Sequence, residues 1–271
     1  MLLQFTCIAQ SHLWMPRNGS LHGLALDQLM RWNLVAICVC FLVAHVWLIL
    51  AMLRSRRMGE APDLGPGKNI ANNKGLQPQE FPRYLRWTLL AALCLMYLWM
   101  AVTAQRLWAS SRYAGPSPEA MQVEVVGEQF QWYFRYPGAD AAFGSTRSDL
   151  ANAAEGNPLG LNPADSRSHD DIVSSVLVLP AGREVDLRLR SLDVIHGFFI
   201  PGMRLKENAV PGLVLHIHFT PTTPGTYPIL CSQVCGLGHS RMQAVLSVVS
   251  PAEFDAWLAS HSNARSEQPA Q

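Results

Sequence analysis

Residues Leu34 to Leu53 read LVAICVCFLVAHVWLILAML, twenty consecutive positions whose only strongly polar member is His45. About 20 apolar residues suffice for a helix to cross a hydrocarbon layer of ~30 Å, and in lipid the backbone must satisfy its own hydrogen bonds. The stretch therefore predicts a membrane-spanning helix. Toward the C-terminus, Trp87 to Ala104 is a second run without a charge. The two spans are expected at about 32–53 and 86–106, forming a helical hairpin. The connector 54–86 carries Arg54, Arg56, Arg57, Lys68, Lys74, Arg83 and Arg86, whereas only Arg17 and Arg31 precede the first span. The positive-inside rule puts the connector in the cytoplasm and both termini on the outer, periplasmic side of a cell (inner) membrane. Gly65 to Pro78, rich in Gly, Pro and Asn, reads as an irregular loop. The opening MLLQFTCIAQSHLW has no positive n-region, so no cleaved signal peptide is expected. His45 is expected to be hydrogen-bonded within the helices.

The chain has 271 residues, 49% hydrophobic and 15% charged, and a net charge of only +1. Residues 1–113 hold eleven Lys/Arg against four Asp/Glu, a balance of +7; residues 114–271 hold ten against sixteen, a balance of −6. The basic part suits anionic lipid, and the acidic part would repel nucleic acid and attract a basic protein. Cys7, Cys38, Cys40 and Cys94 accompany the apolar runs and read as small buried hydrophobes. Cys231 and Cys235 stand alone in the C-terminal part, too few for a disulfide scaffold.

Beyond Pro116 the pattern turns to short strands. MQVEVVGEQFQWYFRY (121–136) alternates, with Phe130, Trp132, Phe134 and Tyr136 on one side. SVLVLP (175–180), EVDLRLR (184–190), VLHIHF (214–219), TYPILC (226–231) and AVLSVV (244–249) follow, punctuated by Pro and Gly. Such spacing argues an all-β Greek-key sandwich or barrel over 114–260. Phe143 to Asp171 reads as a long surface loop. Glu253 to Ser260 is expected to form a short closing helix, and 261–271 a disordered tail.

The chemistry is concentrated in Cys231-Ser-Gln-Val-Cys235-Gly-Leu-Gly-His239-Ser-Arg-Met242. Two thiols, an imidazole and a thioether within twelve residues form a soft, copper-type ligand set. Structural zinc would not recruit Met, and a redox disulfide would prefer Cys-x-x-Cys. A single blue-copper site needs one Cys; a second thiolate allows two coppers to be bridged. A further imidazole must come from upstream. His196, in RSLDVIHGF after a strand, is the candidate; His216 and His218, alternating along one strand, read as a solvated face.

The segments SLDVIHGF, KENAVPG and CSQVCGLGHSRM resemble the binuclear copper A signature of the cytochrome c oxidase subunit II family, and with the helical hairpin the likeness covers most of residues 25–260. The resemblance implies a cupredoxin-like domain holding two copper ions. By it, Cys231 and Cys235 bridge the metals, His196 and His239 cap them, and Met242 and the backbone carbonyl of Gln233 are the weak axial ligands. It further implies that cytochrome c delivers electrons, that a haem-copper catalytic subunit I with other oxidase subunits receives them, and that oxygen reduction and proton translocation take place in that other chain. The sequence departs from the family pattern in several places. Gln233 stands where Glu is usual and Asn208 where Asp is common; with two carboxylates fewer, a magnesium ion at the subunit I face is not expected to be held firmly. Phe130 replaces the usual electron-receiving tryptophan, with Trp132 two residues on, so the aromatic pair Phe130 and Trp132 is the expected electron-accepting route. Tyr84 stands where the family often has a proton-uptake Glu, with Glu80 one turn earlier. A copper A subunit of a nitric oxide reductase is the alternative reading. Nitrous oxide reductase, a copper-free quinol oxidase subunit and a copper chaperone fit less well.

For the basic donor, the loop 139–171 offers Asp140, Asp149, Glu155, Asp165, Asp170 and Asp171 against Arg147 and Arg167, a balance of −4. Asp170, Asp171 and, next to the His196 ligand, Asp193 are the expected docking residues, with association that slows as salt rises.

Overall fold

The structure is a computed structural model that describes residues 15–58 and 82–266. The chain divides into two compact units, one of residues 27–107 and one that joins the segment up to Leu26 with residues 108 onward. This differs from the expected division at 113/114, because residues 16–22, ahead of the first helix, fold with the β domain.

The first unit holds most of two helices, α1 (Gly23–Met58) and α2 (Arg83–Arg112). Both are longer than the apolar runs alone indicated. The parts apolar enough to cross a membrane, Gly23–Arg54 and Arg83–Ser110, have 32 and 28 residues. At 1.5 Å per residue these are about 48 and 42 Å long, more than a hydrocarbon core requires. Their aliphatic side chains point outward, as a lipid-facing surface requires. Within α1 the His45 ring lies 2.8 Å from the Phe41 carbonyl one turn back, so its polar atom is answered locally. The connector from 59 to 81, with its expected loop and Glu80, and the opening residues 1–14 lie outside the described residues.

In the second unit, ten strands form a sandwich of two five-stranded sheets among the described residues. They are β1 (Met121–Glu128), β2 (Gln131–Tyr136), β3 (Ile172–Ser174), β4 (Val176–Pro180), β5 (Val185–Ser191), β6 (His196–Ile200), β7 (Leu205–Ala209), β8 (Leu215–Phe219), β9 (Gly225–Cys231) and β10 (Gln243–Val249). The first sheet has the order β3-β2-β1-β5-β8 and the second β4-β10-β9-β6-β7. The pairs β1/β5 and β4/β10 are parallel and the others antiparallel. This crossing connectivity is the cupredoxin-like Greek-key arrangement expected. Val123, Val125, Trp132 and Phe134 from one sheet meet Leu177, Leu179, Phe198, Ile229 and Leu246 from the other in a single buried core. Period-2 alternation put these residues on one face of each strand.

Four features depart from the sequence expectation. The run 121–136 is a hairpin, not one strand: Glu128 pairs with Gln131, and Gln129-Phe130 forms the turn. No Asn-Gly or Asp-Gly announces it. Phe130 therefore sits at the hairpin tip, 38% exposed, while Trp132, Phe134 and Tyr136 line the core. Second, the expected surface loop Phe143–Asp171 is part of an ordered segment, 137–171. It lies on the outer face of the first sheet, burying Leu159 against Val126 and Tyr133, and short 3-10 turns and bridges order it. Its anchor is Arg135, 2% exposed, which pairs with Asp171 and Glu124 and stacks over Phe143. Third, the closing helix α3 runs over Pro251–Ser266, longer than expected and including part of the presumed tail; Phe254 and Trp257 pack on Tyr136. Only 267–271 of that tail lie outside the described residues.

Fourth, residues 16–22 are a strap across one end of the sandwich. Gly19 exchanges main-chain bonds with Gly202 and Thr222, Leu21 donates to Thr220, and the fully buried Ser20 hydroxyl donates to the Met203 carbonyl. In the same unit, the end of α2 is tied to β7 by Arg112, which pairs with Glu207, donates to the Lys206 carbonyl at 3.1 Å and stacks on Trp108.

Candidate metal centre

The site lies at the end of the sandwich opposite the strap. His196 opens β6, Cys231 closes β9, and the segment 232–242 links β9 to β10 through a 3-10 turn at His239–Arg241. Sheet hydrogen bonding fixes the spacing of these pieces: β6 and β9 are neighbours, with Phe198 opposite Cys231. Cys231 N–H donates to the Met242 carbonyl at 3.1 Å, closing the loop at its neck, and Ser232 N–H donates to the Gly197 carbonyl at 2.8 Å. Distant parts of the sequence are thereby clamped at one point.

One donor atom each from His196, Cys231 and Cys235 lie within 4.8 Å of one another. The two sulfurs are 3.8 Å apart, far beyond the ~2.05 Å of a disulfide. Cys235 Sγ is 3.7 Å from His239 Nδ1 and 3.8 Å from Met242 Sδ. Cys231 Sγ is 3.2 Å from the Gln233 carbonyl oxygen. All six positions named from the sequence therefore converge: His196, Cys231, Gln233 through its main chain, Cys235, His239 and Met242. His216 and His218 do not join them. His216 faces the outside of the first sheet, 2.8 Å from Asp186.

His196 is completely buried, with Nε2 2.8 Å from Asp193 Oδ1, and Nδ1 has no hydrogen-bond partner. An unpartnered buried nitrogen is costly unless a metal takes its lone pair. This atom, two close sulfurs, a thioether and an imidazole fit a soft, thiophilic metal. Burial pushes the Cys235 thiol up to about 11, with Cys231 adding to the effect. A thiol held this way stays protonated at neutral pH until a cation displaces the proton.

The remaining expectations divide. Trp132 is 1% exposed and packs edge-on against His196, ring centroids 5.8 Å apart. It is a wall behind the site rather than a residue on a docking face. Phe130 is at the surface, and its ring lies where side chains at Gly236 and Gly238 would be. Asp193 is no free docking charge. Burial opposes its ionisation, yet hydrogen bonds from His196, Val194 and Gln129 hold its carboxyl below the usual range. Asp171 is fully buried against Arg135. Both Asp170 and Asp171 precede β3, whose Ile172 pairs with Tyr136 at the far end of β2 from the hairpin tip. Six residues at ~3.3 Å each put them about 20 Å from the metal loop, beyond a screening length of ~8 Å. The rim of the site is apolar instead: Leu192, Val194, Ile195, Val234 and the fully exposed Leu237 surround it with Phe130. The sequence reading missed Gln129, whose side chain donates to the Cys235 carbonyl at 2.5 Å; no local pattern marks such a contact.

The chain is similar to known proteins over about half of its length. The family profile described as cytochrome C oxidase subunit II, periplasmic domain, matches residues 121–249. A relative named alternative cytochrome c oxidase subunit 2, from Bradyrhizobium diazoefficiens, is 41% identical over 142 residues, 52% of this chain and 50% of that protein. A cytochrome c oxidase subunit 2 of Synechocystis is 31% identical over 55% of this chain and 36% of its own length. The chain thus spans half or less of the length of these relatives. A crystal structure of the periplasmic domain of subunit II of cytochrome oxidase from Bradyrhizobium japonicum has 22% identity and a TM-score of 0.39, covering 54% of this chain and 97% of that one. The β domain, over residues 121–249, is thus similar to the periplasmic domain of cytochrome c oxidase subunit II.

Proposed function

We propose that this chain is the electron-accepting copper subunit of a membrane-bound cytochrome c oxidase. The observation that carries the reading is the convergence of two thiols, two imidazoles, a thioether and one main-chain carbonyl, with His196 Nδ1 buried and otherwise unanswered. Two copper ions held there would supply one-electron redox chemistry. The chain's own residues do the rest. The β9–β10 loop, closed at its neck by Cys231 and Met242, presents both thiols from one rigid turn, which limits movement of the ligands on reduction. Asp193 fixes the His196 ring so that Nδ1 faces inward. The apolar rim around Leu237 and Phe130 excludes water from a docked redox protein. Cytochrome c is the proposed donor, Phe130 the surface residue that receives the electron, and a haem-bearing subunit I with further oxidase subunits the acceptor.

In this reading α1 and α2 span the cell membrane with both termini and the copper domain on the periplasmic side. The strap supports that topology, because residues 16–22 hydrogen-bond to the β domain and so share its side. The oxygen set for a magnesium ion is poor: Gln233 and Asn208 are neutral amides, and Glu207 is held by Arg112.

Copper analysis with visible and EPR spectroscopy on the full-length chain in detergent tests the proposal. Two coppers per chain and a strongly coloured mixed-valence signal are expected. Cys231→Ser should abolish them and His216→Ala should keep them. One copper per chain, or loss of the signal in His216→Ala, overturns the assignment.

A further inference from the structure

All six ligand positions come from the second sheet and its connections: His196 opens β6, and the others lie between β9 and β10. The first sheet reaches the site through the hairpin tip between β1 and β2. There the Gln129 side-chain amide donates to the Cys235 carbonyl at 2.5 Å. The Gln129 main-chain N–H donates to Asp193 Oδ2 at 2.7 Å, and Asp193 Oδ1 faces His196 Nε2 at 2.8 Å. One residue that is not a ligand thus joins the loop bearing Cys235 to the carboxylate that aims His196.

We propose that Gln129 is a positioning residue for the metal centre, a clasp that holds the β9–β10 loop and the His196–Asp193 pair at a fixed separation. The loop's shape supports this role. Its neck is pinned by the Cys231, Met242, Ser232 and Gly197 main chain, while its outer arm, Cys235–Gly238, extends beyond the sheet. The bonds from His239 N–H to Gly236 and from Arg241 N–H to Gly238 are internal to the loop. Gln129 is the link that comes to this arm from another element. Gly236, at φ +141°, leaves it room: a Cβ there would lie 2.8 Å from Gln129 Nε2. The neighbouring Phe130 ring covers Gly238 in the same way. The hairpin tip therefore lies on the loop with one polar and one apolar contact. A hydrogen bond to the carbonyl of a bridging cysteine restrains the thiol without contributing a ligand, and ligands held in advance release metal slowly.

The inference rests on the reading of the site as a two-copper centre, and its test separates the two. Gln129→Met keeps the length of the side chain and removes its donor, while leaving the main-chain bond to Asp193. In the full-length chain in detergent, the variant should still bind two coppers and keep its colour. It should release them to a chelator about tenfold faster, the order expected for one net hydrogen bond. In the copper-free chain, hydrogen exchange at amides 233–238 should accelerate while strands β1, β5 and β10 exchange as before. Unchanged release and unchanged loop exchange overturn the proposal. Exchange that rises equally throughout the β domain also overturns it, since Gln129 would then support the fold at large. If the wild-type chain binds no copper pair, the two-copper reading fails, and the copper-free exchange comparison still decides whether Gln129 orders the loop.

Discussion

The carboxylate of Asp193 stands 2.8 Å from Nε2 of His196, three residues on, and it also accepts main-chain N–H groups from Gln129 and Val194. With Nε2 donating to this oxygen, Nδ1 carries the lone pair and is left without a hydrogen-bond partner. An acidic residue expected from sequence to meet a partner protein is instead an internal support of the buried His196 ring. Asp193→Ala should lower copper affinity by about 10–100-fold, the usual cost of removing such a support. Competition with a chelator of known affinity measures this. Unchanged affinity would return Asp193 to the docking surface.

The ion pair beneath the 137–171 loop should matter for stability and not for electron transfer. Arg135 and Asp171 are buried together beside Glu124, and breaking a buried pair from one side leaves an uncompensated charge. Asp171→Ala should cost about 3–5 kcal/mol of unfolding free energy, read by denaturant titration, with the spectrum of the copper site unaltered in the folded fraction. A variant of wild-type stability that reacts slowly with its donor would show that the buried assignment is wrong.

The apolar rim predicts how a donor docks. Val234 and Leu237 are 78% and 105% exposed at the metal end of the sandwich, whereas Asp170 and Asp171 lie at the other end of β2. Leu237→Ser should slow reduction of the site by a soluble cytochrome c while leaving copper content intact. Asp170→Asn should have little effect. Stopped-flow reduction across a salt series checks both, and the expected salt dependence is shallow. A rate that falls steeply with salt and in Asp170→Asn would show that the acidic loop steers the donor from a distance.

The strap predicts that the β domain is incomplete when it is cut at residue 114. Gly19 sits so close to Tyr227 and Met203 that a Cβ would come within 2.6 and 2.7 Å of them. Gly19→Val should therefore destabilise the full-length chain by about 1–3 kcal/mol, the range for overpacking. A thermal melt followed by far-ultraviolet circular dichroism of the β domain reads the change. A melting temperature equal to wild type would mean that residues 16–22 do not bind the sandwich.

The membrane helices were legible from Leu34–Leu53 and Trp87–Ala104 because lipid imposes a length and a composition that survive in any tertiary setting. Strands β4, β5, β8, β9 and β10 were legible one by one, and β1 with β2 as a single run, because one buried face imposes a period of two. The candidate ligand residues, which the fold brings together, could be named because sulfur, imidazole and thioether at those spacings have few other uses. What the linear sequence could not convey was accessibility and end-to-end placement. Asp171 and Asp193 look alike as isolated carboxylates, yet Arg135 claims one and His196 the other through contacts 36 and 3 residues away in sequence. The turn at Gln129-Phe130 carries no turn residues and is set by the pairing of β1 with β2. The 137–171 segment is polar enough to read as a loose loop, but sheet packing buries Leu159 and Asp171 within it. Local periodicity and ligand chemistry thus determined the elements and the donor set, whereas burial, charge pairing and the clasp at Gln129 were decided only when the sheets packed and brought distant residues within hydrogen-bond range.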